Sequence, residues 1–120
     1  MKKNKQRTDS DGATKYDGDK IRLDLLPYDA IEEIGKVMTQ GAKKYRDRNW
    51  EKGMTWSRLF ASTLRHLFAF WRGEKVDPEF GISHLAHAGC CILFLLAHKM
   101  RKIGVDDRVK EESYLYQKNL

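Results

Sequence analysis

An all-α fold, a small bundle of three main helices with a weak fourth at the C-terminus, follows from three features of the sequence. Two long segments repeat apolar residues at spacings of three and four, a third is apolar on nearly every side, and no period-two alternation of useful length appears. With 120 residues and 41% hydrophobic content the chain suits one domain with a modest core. Chains of this size often complete their core by oligomerising.

Residues 1–16 are polar, charged and poor in large apolar side chains, so they are expected to form a mobile tail. KIRLDLLP, residues 20–27, is a short amphipathic lead-in whose Leu23, Leu25 and Leu26 can pack, and Pro27 suits the start of a helix. The first helix spans residues 28–45. Ala30, Ile34, Val37, Gly41 and Tyr45 make its apolar stripe, widened by Ile31, Met38 and Ala42. Its two glycines are expected to admit another backbone closely.

Residues 46–55 read as a loop anchored by Trp50. The second helix, residues 56–72, has a core face that includes Leu59, Phe60, Thr63, Leu67, Phe68 and Trp71. Its second face is basic, with Arg58, Ser62, Arg65 and Arg72, and His66 borders it. Gly73 is a C-cap glycine. The third helix is expected from about Glu79 to Lys102, a core helix that stops at Gly104. Asp106 is a plausible N-cap for a weak helix to Tyr116.

The formal net charge of +6 points to an anionic partner: nucleic acid, nucleotide or phosphate. Cys90 and Cys91 are adjacent in a helical run, cannot pair ordinarily there, and fit a reducing setting. The basic N-terminus lacks an apolar segment of the secretory kind. The longest apolar run, residues 88–97, falls short of the ~20 residues needed to cross a bilayer. The expectation is a cytoplasmic protein without membrane contact.

Three constellations can carry chemistry. Asp29, Glu32 and Glu33 put carboxylates one turn apart, a spacing that holds Mg²⁺ or Mn²⁺ and that equally complements a helix dipole. His84-x-x-His87 places two imidazoles on one face behind Asp77 and Glu79, with Cys91 and His98 further along the stripe. It reads as core histidines, as an active-site pair or, less naturally given the spacing, as a zinc site. Lys43, Lys44, Arg46 and Arg48, with Arg58 and Arg65 across the loop and Trp50 and Trp56 interleaved, suit a polyphosphate and a stacked base; a merely solvated basic face is the simpler reading. No glycine-rich phosphate loop is present.

These pieces sit in a familiar order. GAKKY at 41–45, RNW at 48–50, RH at 65–66 and DPEFGISHLAHA at 77–88 closely resemble the small phage and bacterial dATP/dGTP diphosphohydrolases, MazZ-like members of the all-α MazG-like nucleotide pyrophosphohydrolases. The resemblance covers about residues 20–97. It implies metal-dependent hydrolysis of purine deoxynucleoside triphosphates to monophosphate and pyrophosphate, with Mg²⁺ or Mn²⁺ held by helix-borne acids. Asp29-x-x-Glu32 stands for one acidic pair, with Glu33 beside it. His84-x-x-His87 lies where a second pair is expected, and Asp77 or Glu79 supplies the missing carboxylate. The expected assignments are His84 and His87 as catalytic groups, Asp29, Glu32, Glu33 and Asp77 for metal, and Lys44, Arg48, Trp50, Arg65 and His66 for substrate. The resemblance further implies a homo-oligomer, dimer or tetramer, in the host cytoplasm if phage-encoded. The chain divides into a flexible polar tail (1–19), a helical catalytic domain (20–104) and a C-terminal helical arm (105–120). The alternative is a small basic helical nucleic-acid-binding protein. The acidic turn and the apolar third helix speak against it, and stable nucleic-acid binding is not expected.

Overall fold

The computed structural model describes residues 6–10 and 12–110. In chain order these form β1 (Gln6–Thr8), β2 (Thr14–Tyr16), α1 (Tyr28–Tyr45), α2 (Trp56–Trp71) and α3 (His84–Arg101), with 3₁₀ turns at Leu23–Leu25 and Asn49–Lys52. The all-α reading holds, with one small addition. β1 and β2 pair antiparallel, Thr8 opposite Thr14, into an exposed hairpin within the segment expected to form a mobile polar tail. Its turn is closed by Asp9 N–H donating to Ala13 C=O at 2.8 Å and by Gly12 at φ +91°, a backbone state that glycine enters without a Cβ penalty. The lead-in does not pack as expected: Ile21, Leu23, Leu25 and Leu26 are all exposed.

α3 packs against both α1 and α2 and is the central helix. Val37 from α1 meets Ala86 and Cys90 from α3, Ile82 joins from the preceding loop, and Ile34, Met38, Phe80 and Phe94 pack around them. The close approach expected of the α1 glycines comes from α3 instead. A Cβ at Gly89 would stand 2.8 Å from Ile34 Cδ1, whereas one at Gly35 or Gly41 would meet nothing within 4 Å. Gly35→Ala is therefore expected to stabilise the fold by about 0.5–1 kcal/mol through helix propensity alone. Urea denaturation measures it, and a loss of stability would place an unseen neighbour against that face.

The helix ends explain their boundaries. α2 stops in a Schellman motif: Glu74 N–H donates to Ala69 C=O at 3.1 Å and Gly73 N–H to Phe70 C=O at 3.0 Å, with Gly73 at φ +96°. α3 starts at His84, five residues later than expected. The preceding segment is folded into a loop by Asp77, whose Oδ2 accepts from the N–H groups of Glu79 and Phe80, both at 3.0 Å. Ser83 then caps the helix, its Oγ accepting from Leu85 N–H at 3.1 Å. Short polar side chains that bond local backbone compete with helix.

α3 is not covered all round. Leu85, Ile92, Leu93, Leu96 and Met100 are exposed, and so are Phe60, Phe68 and Trp71 of α2, which the periodicity placed in the core. The three α-helices of the described residues supply too few neighbours to cover every apolar side. No helix of the described residues is long and apolar enough to cross a membrane. Cys90 is buried, and burial pushes its thiol up to about 12, so it is a packing residue with no thiolate chemistry at neutral pH.

Beyond α3 the chain returns to the start of α2. Val105 N–H donates to Met54 C=O at 3.2 Å, Trp56 N–H to Val105 C=O at 2.9 Å, and the Trp56 indole N–H to Ile103 C=O at 3.0 Å. Residues 106–110 are not helical; the rest of the expected fourth helix lies outside the described residues. Asp106 accepts from Arg108 N–H and pairs with its guanidinium. Asp107 caps α2 from across the fold, accepting from Ser57 N–H at 2.9 Å and from the Ser57 hydroxyl. That bond to Ser57 holds the Asp107 carboxyl below its ordinary value of 3.8. A depressed carboxylate stabilises the fold above its unfolded value and loses that contribution as pH falls through the folded one. Asp107→Ala is thus expected to lower the Tm at pH 7, with the deficit fading below pH 3.8; a deficit unchanged in acid would assign it to packing.

Candidate functional site

The open cleft that the three helices enclose spans about 1830 Å³, larger than the ~300–1,000 Å³ of an enclosed small-molecule site. α1 supplies Val37, Met38 and its basic C-terminal turn. The loop supplies Arg46, Arg48 and Trp50, and α2 supplies Arg58, Ser62, Arg65 and His66. Asp77, Glu79 and Phe80 come from the connection, and His87, Cys91 and Phe94 from α3. Seven Lys or Arg residues line it against three carboxylates. Arg58 and Arg65 have no ion-pair partner among the described residues, so their charge faces the cleft uncompensated. Lys44 Nζ is 2.7 Å from Glu79 Oε1, tying the end of α1 to the connection, and this bond raises the lysine above its ordinary value.

The loop that carries the cations is strained. Arg46 has φ +109° and Arg48 φ +53°, both in the positive-φ range that residues with a Cβ rarely adopt. Non-glycine residues held there store roughly 1–3 kcal/mol each and cluster at functional sites. Trp50 lines the cleft, but its ring is already stacked on Phe94, 4.8 Å between centroids at 17°, and capped by Arg101 at 5.0 Å. It anchors the loop as well as walling the cleft.

Histidines from two helices meet at the far wall. Spacing i, i+3 puts His84 and His87 on one face of α3, and α2 delivers His66 to it. His66 Nδ1 and His84 Nδ1 are 2.9 Å apart. His66 stacks on His87 at 4.6 Å and 11°, and Phe80 covers the same ring at 5.8 Å. Asp77 Oδ2 lies 3.8 Å from His87 Nε2, and Glu74 Oε1 lies 3.1 Å from His84 Nε2. The second contact is short but misaligned, so both Nε2 atoms are buried without a hydrogen-bond partner among the described residues. Such orphaned atoms are rare away from sites that bind or react. Burial, reinforced by the other two imidazoles, lowers His66 from its ordinary 6.5; burial also lowers His87, against the opposing pull of Asp77. Both rings are neutral at pH 7, with lone pairs to offer a proton or an ion.

Of the residues singled out by sequence, the structure brings Lys44, Arg48, Trp50, Arg65, His66, Asp77 and His87 to the cleft, with His84 buried behind His66. Asp29, Glu32 and Glu33 are not among the lining residues. Asp29 Oδ1 accepts from Ala30 N–H at 2.8 Å and Glu33 pairs with Lys36 at 2.5 Å. Cys91 and His98 do not continue the histidine cluster. Cys91 bonds Ser62 Oγ at 3.5 Å. His98 is fully buried: its Nδ1 bonds Phe94 C=O at 2.7 Å and its Nε2 accepts from Met54 N–H at 3.1 Å. Since a carbonyl only accepts, the hydrogen is on Nδ1. Glu74 was not anticipated. Its only sequence signal is its place directly after the C-cap glycine, which aims it back along the helix end.

A small all-α domain with a cationic cleft ending in a histidine–carboxylate cluster has the charge and shape to suit an anionic ligand. The particular family is shown by comparison: residues 10–108 match the family described as dATP/dGTP diphosphohydrolase, N-terminal, and the chain belongs to it. It is also 31% identical over 94 residues to a protein of Salmonella phage PMBT28 named dATP/dGTP diphosphohydrolase; the match covers 78% of this chain and 32% of that relative. No solved structure matches the chain significantly.

Proposed function

We propose that the chain hydrolyses dATP and dGTP to the monophosphate and pyrophosphate in the cleft, with Mg²⁺ or Mn²⁺ as cofactor. The observation that carries this reading is the cluster of His66, Asp77, His84 and His87 opening onto a wall of unpaired guanidinium groups. Arg65, Arg48 and Lys44 grip the triphosphate and offset charge that develops on it. Phe94 and Trp50 form the apolar wall on the base side. Water attacks the α-phosphorus, the bond to the bridging oxygen breaks, and pyrophosphate leaves with that oxygen. His87 takes the proton the water loses, and Asp77 steadies the imidazolium. A bound divalent ion neutralises phosphate charge and acidifies water.

The cluster offers nitrogen and carboxylate donors that fit Mn²⁺ better than Mg²⁺: Asp77 supplies a carboxylate 3.8 Å from His87 Nε2 and within 4.8 Å of donor atoms of His66 and His84. The acidic turn of Asp29, Glu32 and Glu33 is included because the family pattern implies it; an unchanged rate in Glu32→Gln removes it from the site. The exposed apolar side of α3 supports association of copies. The test is product analysis with each dNTP and Mg²⁺ or Mn²⁺. Monophosphate and pyrophosphate are expected from dATP and dGTP, and their absence from every reaction rejects the proposal.

A further inference from the structure

We infer that His66, Asp77 and His84 form a centre for one divalent first-row transition ion, a centre that selects against Mg²⁺. One donor atom from each lies within 4.8 Å of the other two. The three come from α2, the connection and α3, so the fold and not a flexible loop brings them together. Two donors each ~2.1 Å from an ion lie about 3.0 Å apart at a right angle and about 3.4 Å apart at a tetrahedral one. The 2.9 Å between the Nδ1 atoms of His66 and His84 therefore suits neighbouring ligand positions.

The surroundings are those of ligating groups. A histidine that binds an ion through one nitrogen turns the other toward a carboxylate, and Glu74 Oε1 stands 3.1 Å from His84 Nε2. Asp77 is oriented by two backbone N–H groups through Oδ2 and is faced by His87 Nε2 at 3.8 Å. A proton shared between His66 and His84 accounts for their contact alone. It leaves unexplained why the Asp77 carboxylate converges on the same two rings, with a donor atom within 4.8 Å of one on each.

The donor set decides the ion class. Imidazole nitrogen suits zinc, cobalt, iron, nickel and copper, and a mixed nitrogen and carboxylate set accepts manganese. Mg²⁺ demands oxygen ligands in near-ideal octahedral array and keeps its water. This inference goes beyond the hydrolase reading, since it concerns which ion the chain binds and with which atoms, and it holds whether or not a nucleotide is turned over.

The experiment is Co²⁺ titration of tag-free, chelator-treated and dialysed protein, followed by visible absorption, with isothermal titrations of Zn²⁺, Mn²⁺ and Mg²⁺. One Co²⁺ per chain is expected, undisturbed by a large excess of Mg²⁺. His66→Gln and Asp77→Asn should each weaken uptake at least about tenfold with far-UV circular dichroism unchanged; the Asn oxygen can still accept from Glu79 and Phe80, which guards the loop. Cys91→Ser should bind as the parent does. No saturable uptake, equal uptake in both ligand variants, or displacement by equimolar Mg²⁺ overturns the inference. Product analysis on the same preparations separates the two readings. A protein that takes up Co²⁺ but yields no pyrophosphate from any dNTP refutes the hydrolase and leaves the centre. One that turns over dNTPs with Mg²⁺ and takes up no Co²⁺ does the reverse.

Discussion

Gly104→Ala is expected to cost the fold at least about 3 kcal/mol, a large share of the roughly 5–15 kcal/mol that holds a domain together. Gly104 has φ +75°, and a Cβ built there would fall far inside van der Waals contact of the Met54 carbonyl oxygen, 2.8 Å from His98 Cδ2 and 3.1 Å from Met54 N. Two of those three atoms are backbone and the third belongs to a fully buried ring, so nothing nearby can yield. Gly53, φ +93°, faces the same crossing: a Cβ there would stand 2.8 Å from Gly104 N. The chain passes over itself at this point, and Met54 is bonded both to His98 below and to Val105 beyond. Gly73→Ala is the control. It shares the positive φ, +96°, but meets nothing within 4 Å, so it should cost only the left-handed penalty of about 1–2 kcal/mol. Urea denaturation of both variants checks the difference. Equal losses would mean that backbone conformation alone explains Gly104.

That crossing shows why some of the molecule was legible in sequence and some was not. Helical periodicity is a local signal, and it located α1 and α2 to within a residue. The start of α3 was misplaced because Asp77 and Ser83 offer the backbone competing bonds that periodicity does not register. Gly104 was read as a helix stop, yet its stringent requirement comes from Met54, fifty residues earlier in the chain. His98 lies on the same helical stripe as His84, but its nitrogens serve the backbone of Met54 and Phe94. Asp107 caps a helix that begins fifty-one residues before it. The candidate site divides in the same way. His84 and His87 were visible as an i, i+3 pair, and the motifs that resemble the family named Arg65 and His66. Nothing local announces that His66 reaches His84 or that Glu74 stands behind it, because those contacts exist only once α2 has packed on α3. Exposure of Phe60, Phe68 and Trp71 follows from the same gap: a stripe shows what can be buried, and the number of neighbouring helices decides what is.

His87→Gln is the substitution expected to cost the proposed activity most, lowering kcat for dATP and dGTP by at least about 100-fold, the scale of a lost general base. The ring is held between His66 and Phe80 and lines the cleft, and its Nε2 is buried, without a hydrogen-bond partner and 3.8 Å from Asp77 Oδ2. Glutamine keeps polarity and roughly the reach but cannot take a proton. Because the cations proposed to grip the triphosphate lie elsewhere in the cleft, on Arg48, Arg65 and Lys44, KM should stay within a few-fold of the parent. A loss confined to kcat is the mark of an interaction made only as the reaction proceeds. Arg65→Ala should give the complementary pattern, with KM raised and the smaller change in kcat, since in the proposed role its guanidinium, a lining group of the cleft, would bind the ground-state phosphates too. Steady-state kinetics on both variants, with circular dichroism to confirm helix content, separates the two roles. A parental kcat in His87→Gln would show that the ring's place between His66 and Phe80 is a matter of packing, and would move the search for the base to Asp77 and Glu79.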